Sequence, residues 1–162
     1  DNLIVGAQLV NPDAKVISMF TGSFDDQLKG KQAVDALKEQ GADVISQNAD
    51  ACGIGVVQRC TELDIPNVGS VYDMSVEGEA CFMSVNQDAQ YGITLAIQQC
   101  IEGSLPTGGL SMGCSYGVVA LNQYVGKFAD LLTDEEKANV EKACQLLADG
   151  STIDDVIAEL SK

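Results

Sequence analysis

Histidine and tryptophan are absent from the 162 residues, proline occurs three times, and lysine and arginine together number nine. Without histidine there is no Ser-His-Asp or Cys-His arrangement, and no imidazole to act as a general base or zinc ligand. The shortage of cations matters as much. Aspartate and glutamate number 24 against those nine basic residues, which leaves a net charge of −15. Such a surface repels nucleic-acid backbones and anionic membranes, so nucleic acid is not an expected partner. No apolar run approaches the roughly 20 residues that a bilayer span needs, and no stretch has a signal-peptide pattern. The first residue is Asp1 rather than methionine, and the expected reading is a processed product or a fragment.

What is present is globular in composition: 46% hydrophobic and 20% charged, enough for one domain over residues 1–162 with a core of its own. Six cysteines (Cys52, Cys60, Cys81, Cys100, Cys114, Cys144) form no CxxC pair, so no metal site and no metal cofactor are expected. Cys60, Cys100 and Cys144 fall on the apolar faces of predicted helices, where cysteine behaves as a small hydrophobe. Buried free thiols and one or more disulfides both remain open.

The stretch that organises the chain runs from Asp43 to Leu63. Residues 43–47 form a short β-branched run, and residues 53–63 carry Val56, Val57, Cys60 and Leu63 at helical spacing. Between them lie small and polar residues, Asn48 to Gly53. A strand turning through such residues into a helix is expected to present free N–H groups at the helix start, a site for an anion or a polar ligand atom.

Around it, strands and helices alternate. An N-terminal helix with Leu3, Ile4, Ala7 and Val10 on one side stops at Asn11-Pro12. Strands are predicted over 15–20, 43–47, 66–70, 80–85, 110–112 and 118–121. Helices are predicted from Asp25 or Asp26 to Gln40, over 53–63 and over 87–102. A further helix starts at the capping box Thr133-x-x-Glu136, and a last one carries Ile153, Val156, Ile157 and Leu160. This pattern means an α/β fold, doubly wound, with a mainly parallel sheet and helices on both faces.

In such a sheet, the loops after the strands share one edge, and ligands sit there. Those loops hold the candidate binding residues. Phe24 is an aromatic at a loop tip, and Tyr72 is a second. Asp26, Asp50 and Asp73 supply carboxylates, while Asn48, Cys52, Gly53, Val71 and Asn86 complete the edge. An aromatic face beside converging hydrogen-bonding groups suits a planar polar ligand or a sugar. Each feature also has a structural reading: Asp25, Asp26 and Asp50 precede helices as caps would, and Phe24 and Tyr72 could be packing residues. Cys52 stands at a helix start, a setting in which thiols become reactive, but with no histidine to activate it an enzyme is the weaker alternative.

The order of motifs resembles the basic membrane protein family, the substrate-binding lipoproteins of ABC transporters best represented by purine nucleoside receptors. The motifs are Gly6-Ala7 before Asn11-Pro12, then Thr21-Gly22-Ser23-Phe24-Asp25-Asp26 with Lys29-Gly30-Lys31. Next come Gln40-Gly41-Ala42-Asp43-Val44-Ile45, Gly53-Ile54-Gly55-Val56-Val57-Gln58 and Gly126-Lys127-Phe128-Ala129-Asp130-Leu131. The resemblance implies one lobe of a type I periplasmic-binding-protein fold, the C-terminal one, with the N-terminal lobe absent. It further implies a small-molecule ligand, possession of an ABC-transporter permease partner by the full-length protein, no cofactor, and an extracytoplasmic place as a membrane-anchored lipoprotein. A homodimer through the surface left open by the missing lobe would follow, and a ligand-sensing regulatory domain of the same fold is the alternative function. By the same resemblance, Phe24 matches the aromatic that stacks on a base. Two positions depart from the family. Its ribose-binding aspartate falls at Val71, and its ribose-contacting lysine falls at Asn86, which removes two charge-assisted hydrogen bonds.

Overall fold

The computed structural model describes residues 2–108 and 110–160. Four strands form one sheet in the order β1 (Ile45–Ser46), β2 (Asn67–Val71), β3 (Cys81–Gln87), β4 (Val119–Gln123). The pairs β1–β2 and β2–β3 are parallel and β3–β4 is antiparallel, so the sheet is mainly parallel and the fold is α/β as expected. Among the described residues six α-helices accompany it: α1 (Asn2–Val10), α2 (Gln27–Glu39), α3 (Cys52–Leu63), α4 (Ala89–Glu102), α5 (Asp134–Ala148) and α6 (Ile153–Leu160).

Two of the six expected strands do not form. Segment 15–20 has no regular secondary structure and is unpaired: its backbone makes no hydrogen bond to other backbone among the described residues. Its β-branched residues favour a strand, but a strand also needs an edge to pair with, and a cavity separates the segment from β1. Segment 110–112 is likewise outside the sheet, because β4 occupies the far side of β3. All six cysteines are free thiols, which closes the disulfide alternative.

The core sits where α2 and α3 cover the parallel strands. Val34, Ile45, Val56, Cys60, Ile65 and Ala80 form one buried cluster, and Val57, Met74 and Cys81 a second. The helices approach closely because both contribute glycine at the contact. A Cβ on Gly30 would run into the Cys52 carbonyl, and one on Gly55 into that of Gln27. The opposite holds for α4, which carries apolar residues at helical spacing. None of its residues is buried.

Candidate functional site

The parallel strands β1, β2 and β3 end at one edge, which is formed by residues 47–50, 71–73 and 86–88 at and just beyond their ends. The 113–117 turn joins them from the other direction. It precedes β4, and because β4 runs antiparallel, its start lies beside the end of β3, with Val119 opposite Gln87 and the Asp88 N–H bonded to the Val118 carbonyl at 2.8 Å.

At this edge a cavity of about 180 Å³ is lined by Gln47, Asp50, Ser70, Val71 and Tyr72 above Ile54 and Met74. The backbone around it is strained at Val71, whose φ of 76° lies in the left-handed region that a β-branched residue rarely enters, while Asp50 at φ 53° takes a conformation that aspartate adopts readily. Positions like that of Val71 cost about 1–3 kcal/mol and cluster at ligand sites. Beside Val71 in the ladder stands Asn86, whose Oδ1 is buried and has no hydrogen-bond partner among the described residues. An acceptor in that state costs free energy until a donor reaches it.

The other predicted residues divide by environment. Phe24 is 75% exposed at its loop tip and, with Asn48, lines a second cavity of about 380 Å³ between segment 19–24 and β1. Tyr72 donates its hydroxyl to Glu77 at 2.9 Å. Burial first, and then that bond, raises its pKa, with the Asp50 carboxylate adding to the effect. Asp73 accepts from the Ser75 hydroxyl at 2.6 Å and from its N–H at 3.0 Å. The hydroxyl bond is the main reason its pKa is lowered. Asp26 caps α2, accepting from the N–H groups of Leu28 and Lys29, so its carboxylate is engaged in structure.

Two expectations about the start of α3 change. Cys52 is fully buried, so its thiol does not reach the edge. Nor are the first N–H groups of the helix free: Cys52 donates to the Phe24 carbonyl, Gly53 to Asp50 and Ile54 to Ala51. The anion site expected from the strand–turn–helix pattern is therefore occupied by the protein's own carbonyls. Gly53 is needed for another reason, since a Cβ there would collide with the side-chain amide of Gln47.

Gln47 is the residue that reading the sequence missed. It is buried, lines both cavities, and accepts from the Ala49 N–H at 2.9 Å, fixing the turn that carries Asn48 and Asp50. A polar residue closing an apolar strand was the available signal. Ser70 also lines the smaller cavity without having been singled out. With Asp50 and Glu77 near Tyr72, and no cation lining the cavity, the edge offers acceptors to a ligand that carries N–H or O–H donors.

Residues 3–151 match the sequence profile of the family described as ABC transporter substrate-binding protein PnrA-like. Among curated proteins, the chain is similar to the transcriptional activator protein med of Bacillus subtilis (strain 168), 27% identical over 143 residues, which is 88% of this chain and 44% of that one. Among solved structures it shares its fold with a transcriptional activator of the comK gene from Bacillus halodurans (TM-score 0.74, 23% identity, 88% of this chain and 49% of that one). It also shares it with an ABC transporter solute-binding protein from Conexibacter woesei DSM 14684 (TM-score 0.65, 22% identity, 91% and 49%). The chain thus spans about half the length of these relatives. The family and these neighbours are solute-binding or regulatory proteins, not enzymes. On the match over 3–151, the chain belongs to the PnrA-like family of ABC transporter substrate-binding proteins.

Proposed function

We propose that this chain is one lobe of a solute-binding receptor that closes on a small polar ligand without converting it. The observation that carries the reading is the strained Val71 at the sheet edge, with the unpartnered carbonyl of Asn86 beside it in the ladder and Asp50 lining the same cavity. Exposed Phe24 supplies a stacking face, and Asn48, Asp50, Tyr72 and Asp73 supply polar groups. The ligand is neutral or cationic, since the edge is rich in acceptors and its helix start offers no free amides; a nucleoside or nucleobase fits that description. A second lobe would supply the other half of the contacts, with hinged closure between them. In the full-length protein the partner would be an ABC permease, and the place extracytoplasmic with a lipid anchor. Without that second lobe, the surface it would cover would favour a homodimer.

A second reading, a ligand-sensing regulatory domain, is favoured by the two relatives named as transcriptional activators. Both readings need the ligand site. Titration calorimetry with nucleosides, nucleobases and simple sugars, on wild type and on Phe24→Ala, tests it. One class should bind, and Phe24→Ala should abolish that binding. Binding that survives Phe24→Ala would remove the stacking role, and a full-length protein that binds none of the panel would sink the nucleoside assignment. Solute uptake against reporter transcription, each measured with the ligand found, then separates transport from regulation.

A further inference from the structure

The two cavities beside β1 share a lining residue, Gln47. It follows the last residue of β1, with its N–H still bonded to the Val68 carbonyl at 3.3 Å, and it is 8% exposed. The Ala49 N–H fixes which way its carboxamide faces. That donor reaches Oε1 at 2.9 Å, and exchanging the amide's oxygen and nitrogen would set two donors against each other. Nε2 is therefore turned to the Met74 sulfur. Met74 is 1% exposed, and its own N–H is held by the Ser84 hydroxyl at 3.1 Å, so the sulfur has little room to move. Gly53 leaves the space in which the amide lies, since a Cβ there would overlap its oxygen, carbon and nitrogen.

This arrangement satisfies the oxygen and leaves the nitrogen short of acceptors. An amide nitrogen carries two N–H bonds, and a thioether is a weak acceptor. Among the described residues the Met74 sulfur is the one acceptor that Nε2 has. A buried donor in that state costs free energy until a better acceptor reaches it. Holding the turn requires only Oε1, so the turn does not account for the donor. The groups nearby have the opposite character: the Asp50 carboxylate lines the smaller cavity, and the buried Oδ1 of Asn86 stands unpartnered beside Val71. Gln47 thus puts a donor among acceptors, in the wall between the cavity of Phe24 and the cavity of Asp50 and Val71.

We propose that Gln47 is a specificity-determining residue of the ligand site. Its Nε2 donates to a ring carbonyl of a planar heterocycle that lies across this wall, with Phe24 on the larger side and Asp50 on the smaller. The preferred class is then an oxo-heterocycle, which presents a carbonyl oxygen beside ring N–H groups. An amino-heterocycle presents –NH2 at the same place and sets donor against donor. The inference rests on the ligand reading above and narrows it.

Titration calorimetry on the full-length protein tests it with two pairs of probes, hypoxanthine against adenine and uracil against cytosine, each as free base and as riboside. Within a pair, a ring carbonyl is exchanged for an amino group. Wild type should favour the carbonyl member of the pair it binds by at least about tenfold. Gln47→Met keeps the length of the side chain but removes the amide donor, so the preference should vanish. Gln47→Glu, read at alkaline pH where its carboxyl is ionised, keeps an oxygen for Ala49 and replaces the donor with an acceptor, so the preference should reverse. A wild type that favours the amino member, or a preference that survives Gln47→Met while both members weaken equally, would leave Gln47 as a support of the turn and overturn the proposal. A wild type that binds neither member of either pair would instead remove the ligand reading, and this role with it. Should Gln47→Met fail to fold, the same ratio measured on Gln47→Glu decides.

Discussion

Helices α3 and α4 each follow a parallel strand, run for 12 and 14 residues, and carry an apolar stripe at helical spacing. Six residues of α3 are buried and none of α4, where Ile93, Ile97 and Ile101 are 62%, 56% and 82% exposed. Local chemistry runs the other way. No side chain caps α3, whereas α4 is capped by Asp88, which accepts from the Tyr91 N–H at 2.8 Å, and is closed by left-handed Gly103. One helix is held by packing, the other by its ends. Most helical stability in proteins comes from a packed apolar face, so the two should respond differently to the same kind of substitution. An apolar stripe tells which side of a helix wants cover; it does not tell whether the cover lies in the same chain.

The sharpest way to break the packed side is at its glycines. Gly55→Ala pushes a methyl into the Gln27 carbonyl, a backbone atom that cannot swing aside, and should cost about 3 kcal/mol or more. Urea unfolding would measure it, and a cost under about 1 kcal/mol would mean that α2 and α3 can slide apart without penalty. A pH effect from the same core should be smaller. Burial pushes the Cys60 thiol up to about 12, so the folded chain keeps a proton that the unfolded chain releases in the ordinary thiol range. Stability from this group is complete below that range and is lost as pH climbs toward about 12. Comparing urea midpoints of wild type and Cys60→Ala across alkaline pH isolates the term, and the wild type should fall more steeply.

What could be read from the sequence was set by near neighbours along the chain. The Thr133–Glu136 capping box, the Asp26 cap and the helical stripes all appear where expected, because each depends on residues three or four apart. The organising stretch was also found, with β1 leading to α3 through Asn48 and Asp50. What failed depends on distant partners. Segment 15–20 has the composition of a strand but meets no edge. The α3 amides look free until the Phe24 carbonyl, from a loop 28 residues earlier, accepts from Cys52. The candidate site shows the same division. Asp50, Val71, Tyr72 and Asn86 come to one edge and Phe24 lines the neighbouring cavity, but the role of Gln47 follows from its contact with the turn and with Gly53, which spacing alone does not reveal.

A matched pair of truncations gives the smallest effect and the finest test of the contrast. Val57→Ala, at a fully buried position of α3, should cost about 2–3 kcal/mol through lost burial and the cavity left behind. Ile97→Ala removes more carbon from α4, yet a side chain 56% exposed already spends most of its surface in water. Alanine is also the better helix former by a few tenths of a kcal/mol. The substitution should therefore fall within about 0.5 kcal/mol of wild type, in either direction. A cost near that of Val57→Ala at every protein concentration would mean that α4 packs against its own chain in solution, which would erase the difference between the two helices. A cost that appears only as concentration rises would instead show that another copy covers the stripe.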